Sequence, residues 1–486
     1  MNTTDIASST DQRIDPMVWR IAVVILLGPL MTSLDATVVN VSLSTLSGEL
    51  HTPLTTIQWV TSGYLLALAL MLPLSGWLVD RIGAKRVYLC CFTLFTITSL
   101  LCGLATSAMA LIVFRVLQGM AGGLLAPMAQ MMTARIAGRH VARVMGFMVM
   151  PVLIGPILGP VLAGAILQHA SWRWIFFINL PIGIFATLLA LWILPRDDDE
   201  TQPRTFDLKG FLLLSPGLVF LLHSLENLSS ERASKHFSEI ELCAAVLLLL
   251  LFVWHATRYG RSALIDIHLF RSRTFSAAAC TQFLSNAASF GGQMLLPLYL
   301  LTVMGQSPGR TGLLLAPAGL GMLCSYPMMG AMTERFGSRR ISSTGALISL
   351  AGTLPFALFG VTGMPMSAIC LLLFVRGLGM GSIGIPSIAA AYTSIPKSMI
   401  PVATTALNIL QRLGGPIATT SLAISLHVHW QAESTKAFPA FAATFWLLCA
   451  IHALAVFSAL RLPTNRTSRE VGASSEKIEL MDAVSD

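Results

Sequence analysis

Long apolar runs separated by short polar segments dominate this chain. Six runs come first, over residues 18–41, 56–79, 87–106, 108–134, 144–167 and 174–195. Two follow a charged stretch, at 208–226 and 239–257, and six more close the pattern, at 274–303, 311–333, 341–362, 365–392, 401–426 and 438–460. Each is near the ~20 residues that an α-helix needs to cross a bilayer core. The runs are too long for strands, and the alternating ten-residue segments of an outer-membrane barrel are missing. The pattern therefore predicts an all-α membrane protein with fourteen spans.

Composition agrees. The chain is 55% apolar and 11% charged, with a mean hydropathy of +0.73, whereas soluble domains carry about 25% charged residues. So little charge excludes a soluble enzyme, a disulfide-stapled secreted domain and a disordered chain. The net charge of +8 invites a nucleic-acid reading, but its placement gives another. With the N-terminus in the cytoplasm, 23 of the 31 Lys and Arg fall in cytoplasmic segments and five outside: Arg173, Arg232, Lys235, Arg310 and Lys436. This is the positive-inside asymmetry, with both termini cytoplasmic and no nucleic-acid partner expected. The first 16 residues are polar and lack a basic n-region, so the first run is expected to stay as a helix rather than be cleaved. The eight cysteines lie in or beside apolar runs without ligand spacing, and no metal site is expected.

The chain repeats itself. GWLVDRIGAKR at 76–86 returns as GAMTERFGSRR at 330–340, and Arg115 has an echo in Arg376. Two similarly oriented bundles imply a site between them near the bilayer midplane. The predicted organisation is a tail over 1–17, a six-helix bundle over 18–195, a linker with two extra helices over 196–273, a second bundle over 274–460 and a tail over 461–486. The polar stretch RDDDETQPRTFD (196–207) is expected to be a solvated connection and nothing more.

Four motifs, LDATVVNV (34–41), GWLVDRIGAKR (76–86), FRVLQGMAGG (114–123) and GPILGPVLAG (155–164), with SWRWIFFINLPIG (171–183) in support, resemble the major facilitator superfamily, more narrowly its fourteen-span drug:proton antiporters. The resemblance covers essentially the whole chain. It departs at Ala163, where the family usually has Gly. It implies the major facilitator fold, two six-helix bundles plus two extra transmembrane helices, working by alternating access in the cell inner membrane. It further implies multidrug efflux powered by the proton gradient without another cofactor, and a loop motif (Gly76, Asp80, Arg81, Gly83, Arg86) that latches the outward-facing state. The fifth-helix run with Gly155, Pro156, Gly159 and Pro160 would be a seal and hinge at the bundle interface. A monomer is expected.

The residues carry chemistry of their own. Asp35 is the one carboxylate deep in a predicted span, about 22 Å from the inner end at 1.5 Å per residue. Arg115 descends about 10 Å from the outer side to a similar level. Intramembrane charges tend to pair or to face a wet cavity, which makes Asp35 the candidate proton-coupling group and Arg115 its partner; a static ion pair is the plainer reading. Gln118 lies one turn from Arg115 and is a candidate partner of Asp35 or substrate. A pocket lined from both bundles is expected, with Gln58, Trp59, Tyr64, Gln282, Asn286, Gln293, Tyr299 and Asn408 as candidates. Arg376 and Arg412, at midplane depth without a carboxylate in reach, either contact an anionic or chelated substrate or bond to backbone carbonyls and Gln411. The partners expected are thus a small-molecule substrate, protons and lipid. Export of an endogenous anionic metabolite or metal chelate is the rival to drug export. The chain has no G-x-x-x-x-G-K-[ST] loop for ATP and no paired catalytic groups for an enzyme.

Overall fold

The computed structural model describes residues 14–197, 205–228, 235–359, 364–432 and 437–464. Most of both tails, residues 198–204 of the linker, and the loop stretches 229–234 and 433–436 with Arg232 and Lys436 lie outside them. The described residues are helical, without a strand. In chain order the membrane helices are α1 (Pro16–Val41), α2 (Leu54–Met71), α3 (Ala84–Gly103), α4 (Ala108–Ala137), α5 (Val141–His169), α6 (Trp174–Ile193) and α7 (Leu208–Leu228). They continue as α8 (Lys235–Tyr259), α9 (Arg273–Thr302), α10 (Pro308–Phe336), α11 (Ser338–Leu358), α12 (Met366–Thr393), α13 (Ile400–Ala432) and α14 (Ala437–Ala459). Eleven of these are long and apolar enough to cross a membrane by composition, and α5, α9 and α13 are helices of 29, 30 and 33 residues. Each apolar run thus lies on a helix whose ends fall within a few residues of it, except that the run 56–79 covers α2 and most of the short helix Leu74–Ile82 that follows.

Capping explains several boundaries. Asp15, Ser107, Ser272 and Ser307 accept hydrogen bonds from first-turn amides of α1, α4, α9 and α10, which satisfies donors that have no partner inside the helix. The repeated loop motif shows itself in the backbone. After α2 the chain continues as a short helix, Leu74–Ile82, and turns at Gly83 (φ 100°, ψ 151°); α10 turns into α11 at Gly337 (φ 87°, ψ 153°). Both torsions lie where glycine alone is unstrained.

The linker corrects the expectation of a plain solvated connection. Asp197 accepts from the Lys85 and Arg86 amides at 2.9 and 3.0 Å, placing a carboxylate at the positive N-terminal end of α3. Lys85 Nζ in turn donates to the Leu191 and Leu194 carbonyls at the C-terminal end of α6. Asp207 accepts from the Gly210 and Leu264 amides and lies 2.8 Å from His255 Nε2 on α8.

The face holding Arg81, Lys85, Arg86, Arg143, Arg335, Arg339 and Arg340 is here termed the basic face. Near it one buried core runs through both bundles, with Met131 and Ala134 of α4, Met145 of α5, Ile385 of α12, and Val402 and Ala406 of α13. Toward the distal face the core splits. One cluster gathers Val38, Leu111, Trp172 and Phe176, and another gathers Leu295, Tyr299, Phe356, Phe441 and Phe445. The extra pair packs beside α2 and α13. Glu226 of α7 accepts from Ser62 Oγ at 3.4 Å, and the Leu225 carbonyl accepts from Thr420 Oγ1 at 2.9 Å.

Candidate functional site

Asp35 sits inside the first bundle with a side chain that is 0% exposed. Arg115 Nη1 donates to its Oδ2 at 2.6 Å, and Asn179 Nδ2 donates to its Oδ1 at 2.8 Å. Gln118 approaches Oδ1 with its Nε2 at 3.4 Å, and its Oε1 accepts from Arg115 Nη1 at 2.7 Å. Helices α1, α4 and α6 therefore meet at one carboxylate. Arg115 is held further by the Val60 carbonyl at 3.2 Å and by the Tyr64 ring, whose centroid lies 4.1 Å from its guanidinium carbon. Asn179 also donates to Ser99 Oγ on α3 at 3.1 Å. A cavity of about 10 Å³ opens beside Asp35, lined by Val38, Leu162, Ile175 and Asn179 among others, which is room for about one water. Arg115 Nη2 has no hydrogen-bond partner among the described residues.

The residues on either side of Asp35 pack on the glycines of α5. A β-carbon on Gly155 would fall 2.4 Å from Ser33 Oγ, and one on Gly159 would fall 2.6 Å from Thr37 Cβ. Ser33 Oγ donates to the Val152 carbonyl at 3.1 Å. Gly155 and Gly159 thus meet α1 within the first bundle, and α5 is one continuous helix. Pro160 is exposed, and the side chain of Pro156 lies outside the described residues.

The contacts between bundles sit nearer the basic face and use both copies of the loop motif. Gly76 abuts the start of α13, where its amide donates to Thr405 Oγ1 at 3.1 Å, and Ser75 Oγ lies 2.8 Å from the same hydroxyl. Asp80, one turn on, is buried, whereas Arg81 and Arg86 are exposed. In the second copy Gly330 abuts Arg143 of α5, and Glu334 pairs with Arg143 while its Oε1 lies 3.0 Å from His140 Nδ1. Asn408 Nδ2 donates across the seam to Gln130 Oε1 at 2.8 Å.

The sequence model of the Major Facilitator Superfamily matches residues 25–419. The chain belongs to this superfamily. It is 35% identical over 86% of its length, and 78% of the relative's, to the multidrug resistance protein B homolog of Mycobacterium tuberculosis. A Klebsiella pneumoniae relative with the provisional name multidrug resistance protein MdtD is 31% identical over 90% of this chain and 94% of its own. Among solved structures, the proton:xylose symporter XylE bound to 6-bromo-6-deoxy-D-glucose superposes with a TM-score of 0.61 at 15% identity, over 93% of this chain and 97% of that one. This major facilitator protein is thus a multi-pass membrane transporter that handles small molecules, and not an enzyme.

Several residues expected to line its pocket are engaged elsewhere. Trp59 stands beside His223 of α7 with ring centroids 5.7 Å apart, so it meets the extra pair. Tyr64 lies under Arg115 and belongs to the Asp35 site. Tyr299 is fully buried among Phe356, Phe441 and Phe445. Gln282 bonds to the Gly384 carbonyl and Ser387 of α12. Arg376 Nη2 donates to the Ala288 carbonyl at 2.9 Å and its Nε to Thr353 Oγ1 at 3.2 Å, which places it inside the second bundle rather than on a substrate. Asn286 is half-buried and donates to the Gln282 carbonyl, Gln293 is exposed, Gln58 is exposed, and Arg412 is half-buried. The cysteines are free, and no cluster of metal ligands occurs among the described residues. Asn179, Ser99 and Asp197 were missed by the sequence reading. Asn179 lies inside the quoted segment SWRWIFFINLPIG, where its position in an apolar helix was the available signal.

Proposed function

We propose that this protein is a proton-driven secondary transporter exporting amphipathic small molecules, drugs among them, across the bacterial cytoplasmic membrane. The carrying observation is the buried Asp35 with its cationic partner Arg115 and two amide partners. A carboxylate enclosed this way sits in a low-dielectric site, where gain or loss of a proton changes the energetics of every group bonded to it. Protonation neutralises Asp35 and weakens its hold on Arg115, Gln118 and Asn179. Because Ser33 and Thr37, on the same turns of α1, rest on Gly155 and Gly159, that change reaches the α1–α5 contact as well as α4 and α6.

With fourteen spans and the basic face and both termini in the cytoplasm, this conformation is joined on the cytoplasmic side and opens outward. Alternation requires the Gly76–Thr405, Asn408–Gln130 and Glu334–Arg143 contacts to part. The proton gradient supplies the energy, no cofactor is needed, and a monomer suffices because the bundles are two halves of one chain. The names of the Mycobacterium and Klebsiella relatives support drugs as cargo. The test is uphill export in proteoliposomes with an imposed pH gradient, screened over a panel of amphipathic drugs. Asp35→Asn should abolish accumulation against a gradient while leaving downhill exchange. A variant that pumps uphill as well as wild type would refute proton coupling through Asp35.

A further inference from the structure

Arg115, Arg376 and Arg412 lie at membrane depth, and the structure accounts for two of them. Arg115 is neutralised by Asp35. Arg376 is 5% exposed and held by a carbonyl and a hydroxyl. Arg412 makes no hydrogen bond or ion pair among the described residues and is half-buried.

Its direction is fixed by its neighbours on α13. Thr405 meets Ser75 and Gly76 of α2, Asn408 meets Gln130 of α4, and Arg412 follows one turn later on the same stripe. Tyr64 of α2 is within its electrostatic reach. Arg412 therefore points at the first bundle just beyond the Asn408–Gln130 bond, about 18 Å from the basic end of α13, where the shared core gives way to the two distal clusters. Three residues further along α13, Gly415 packs against Phe290 of α9, which is 48% exposed and offers apolar surface.

A cation at membrane depth without a counter-charge among the described residues attracts anions and repels cations, and the planar guanidinium fork matches a carboxylate or sulfonate in two bonds. We propose that Arg412 sets the charge of the cargo: the preferred substrates carry an acidic group on an apolar body, and permanently cationic compounds bind poorly. This rests on the export reading above and adds the sign of the substrate's charge.

Equilibrium binding to the full-length purified protein, read by quenching of intrinsic tryptophan fluorescence, tests it with three probes on one ring system: naphthoate, naphthamide and naphthylmethylammonium. Wild type should bind naphthoate roughly tenfold or more tighter than naphthamide, the amount a hydrogen-bonded charge contributes, and the ammonium compound weakest. Arg412→Gln should erase the acid-over-amide ratio while keeping naphthamide binding, and Arg412→Lys should retain part of it. An amide or ammonium probe binding as tightly as naphthoate to wild type, an unchanged ratio in Arg412→Gln, or no saturable binding of the acid overturns the proposal. The wild-type ratio decides even if a variant does not fold. No pH gradient enters this measurement, so its failure is separable from failure of uphill export.

Discussion

Gly292 faces Arg376 so closely that a β-carbon there would fall 1.8 Å from the guanidinium Nη2. The first bundle has Asp35 facing Arg115 in the matching place. The match extends to a third helix and a sixth: Ser99 bonds to Asn179, and Thr353, 254 residues after Ser99, lies 3.3 Å from His452 Nε2. The repeat thus keeps the buried arginine and a hydroxyl on the third helix but gives a carboxylate to one copy alone, while the other uses the Ala288 carbonyl. Gly292→Ala should dislodge Arg376 from that carbonyl and cost about 1–3 kcal/mol, the usual range for overpacking. Thermal unfolding in detergent measures it. Gly164→Ala, where an added β-carbon meets nothing within 4 Å, should leave the unfolding temperature unchanged.

The second copy of the loop motif carries a defined ion pair between bundles. Glu334 engages Arg143 and His140 with about a fifth of each side chain exposed. Such a pair is worth more than a fully exposed one, about 1–3 kcal/mol for a charge-assisted bond. Glu334→Gln should therefore open the basic face, raising thiol labelling of a cysteine placed at Thr405 by roughly fivefold or more. Glu334→Arg with Arg143→Glu should restore protection. Labelling at wild-type level in Glu334→Gln would show that the pair does not hold the seam.

The membrane helices were readable because lipid-facing helices must be apolar along most of their length, with charges inside them rare and gathered at their ends. Asp35 and Arg115 were readable for the converse reason: two charges at one depth in hydrocarbon demand each other. For Arg376 the sequence left a substrate anion and backbone carbonyls both open, because a carbonyl partner leaves no trace in residue identity; the Ala288 carbonyl bears out the second. The role of Glu334 was not legible from the repeat of 76–86 at 330–340, since its partner Arg143 lies 191 residues away on the other bundle. The α5 glycines were visible, but which helix they admit depends on how α1 is rotated, and only the fold fixes that.

Asp197 holds the start of α3 from the far end of α6. It accepts from two first-turn amides, and loss of an N-terminal capping carboxylate costs about 0.5–2 kcal/mol. Asp197→Ala should lower the unfolding temperature by that measure, and Asp197→Asn should recover part of it. Since Lys85 Nζ ties the same turn to the end of α6, Lys85→Ala with Asp197→Ala should cost less than the sum of the two singles.

Asn179 is the strongest neutral donor to Asp35, and its amide is steered by Ser99. With Asn179→Leu, Asp35 Oδ1 retains only the long 3.4 Å approach of Gln118, and the carboxylate loses a bond of a kind worth about 1.5–3 kcal/mol. Gradient-driven accumulation in proteoliposomes should then fall roughly ten- to a hundredfold, because the energetic difference between the two protonation states is what drives the bundles. Ser99→Ala should fall less, since it removes only the group that orients the amide. Equilibrium substrate binding should stay within about twofold in both variants, because neither side chain lies at the seam between bundles. Accumulation at wild-type level in Asn179→Leu, or a parallel loss of binding and accumulation, would show that Asn179 supports the fold of the bundle without positioning Asp35.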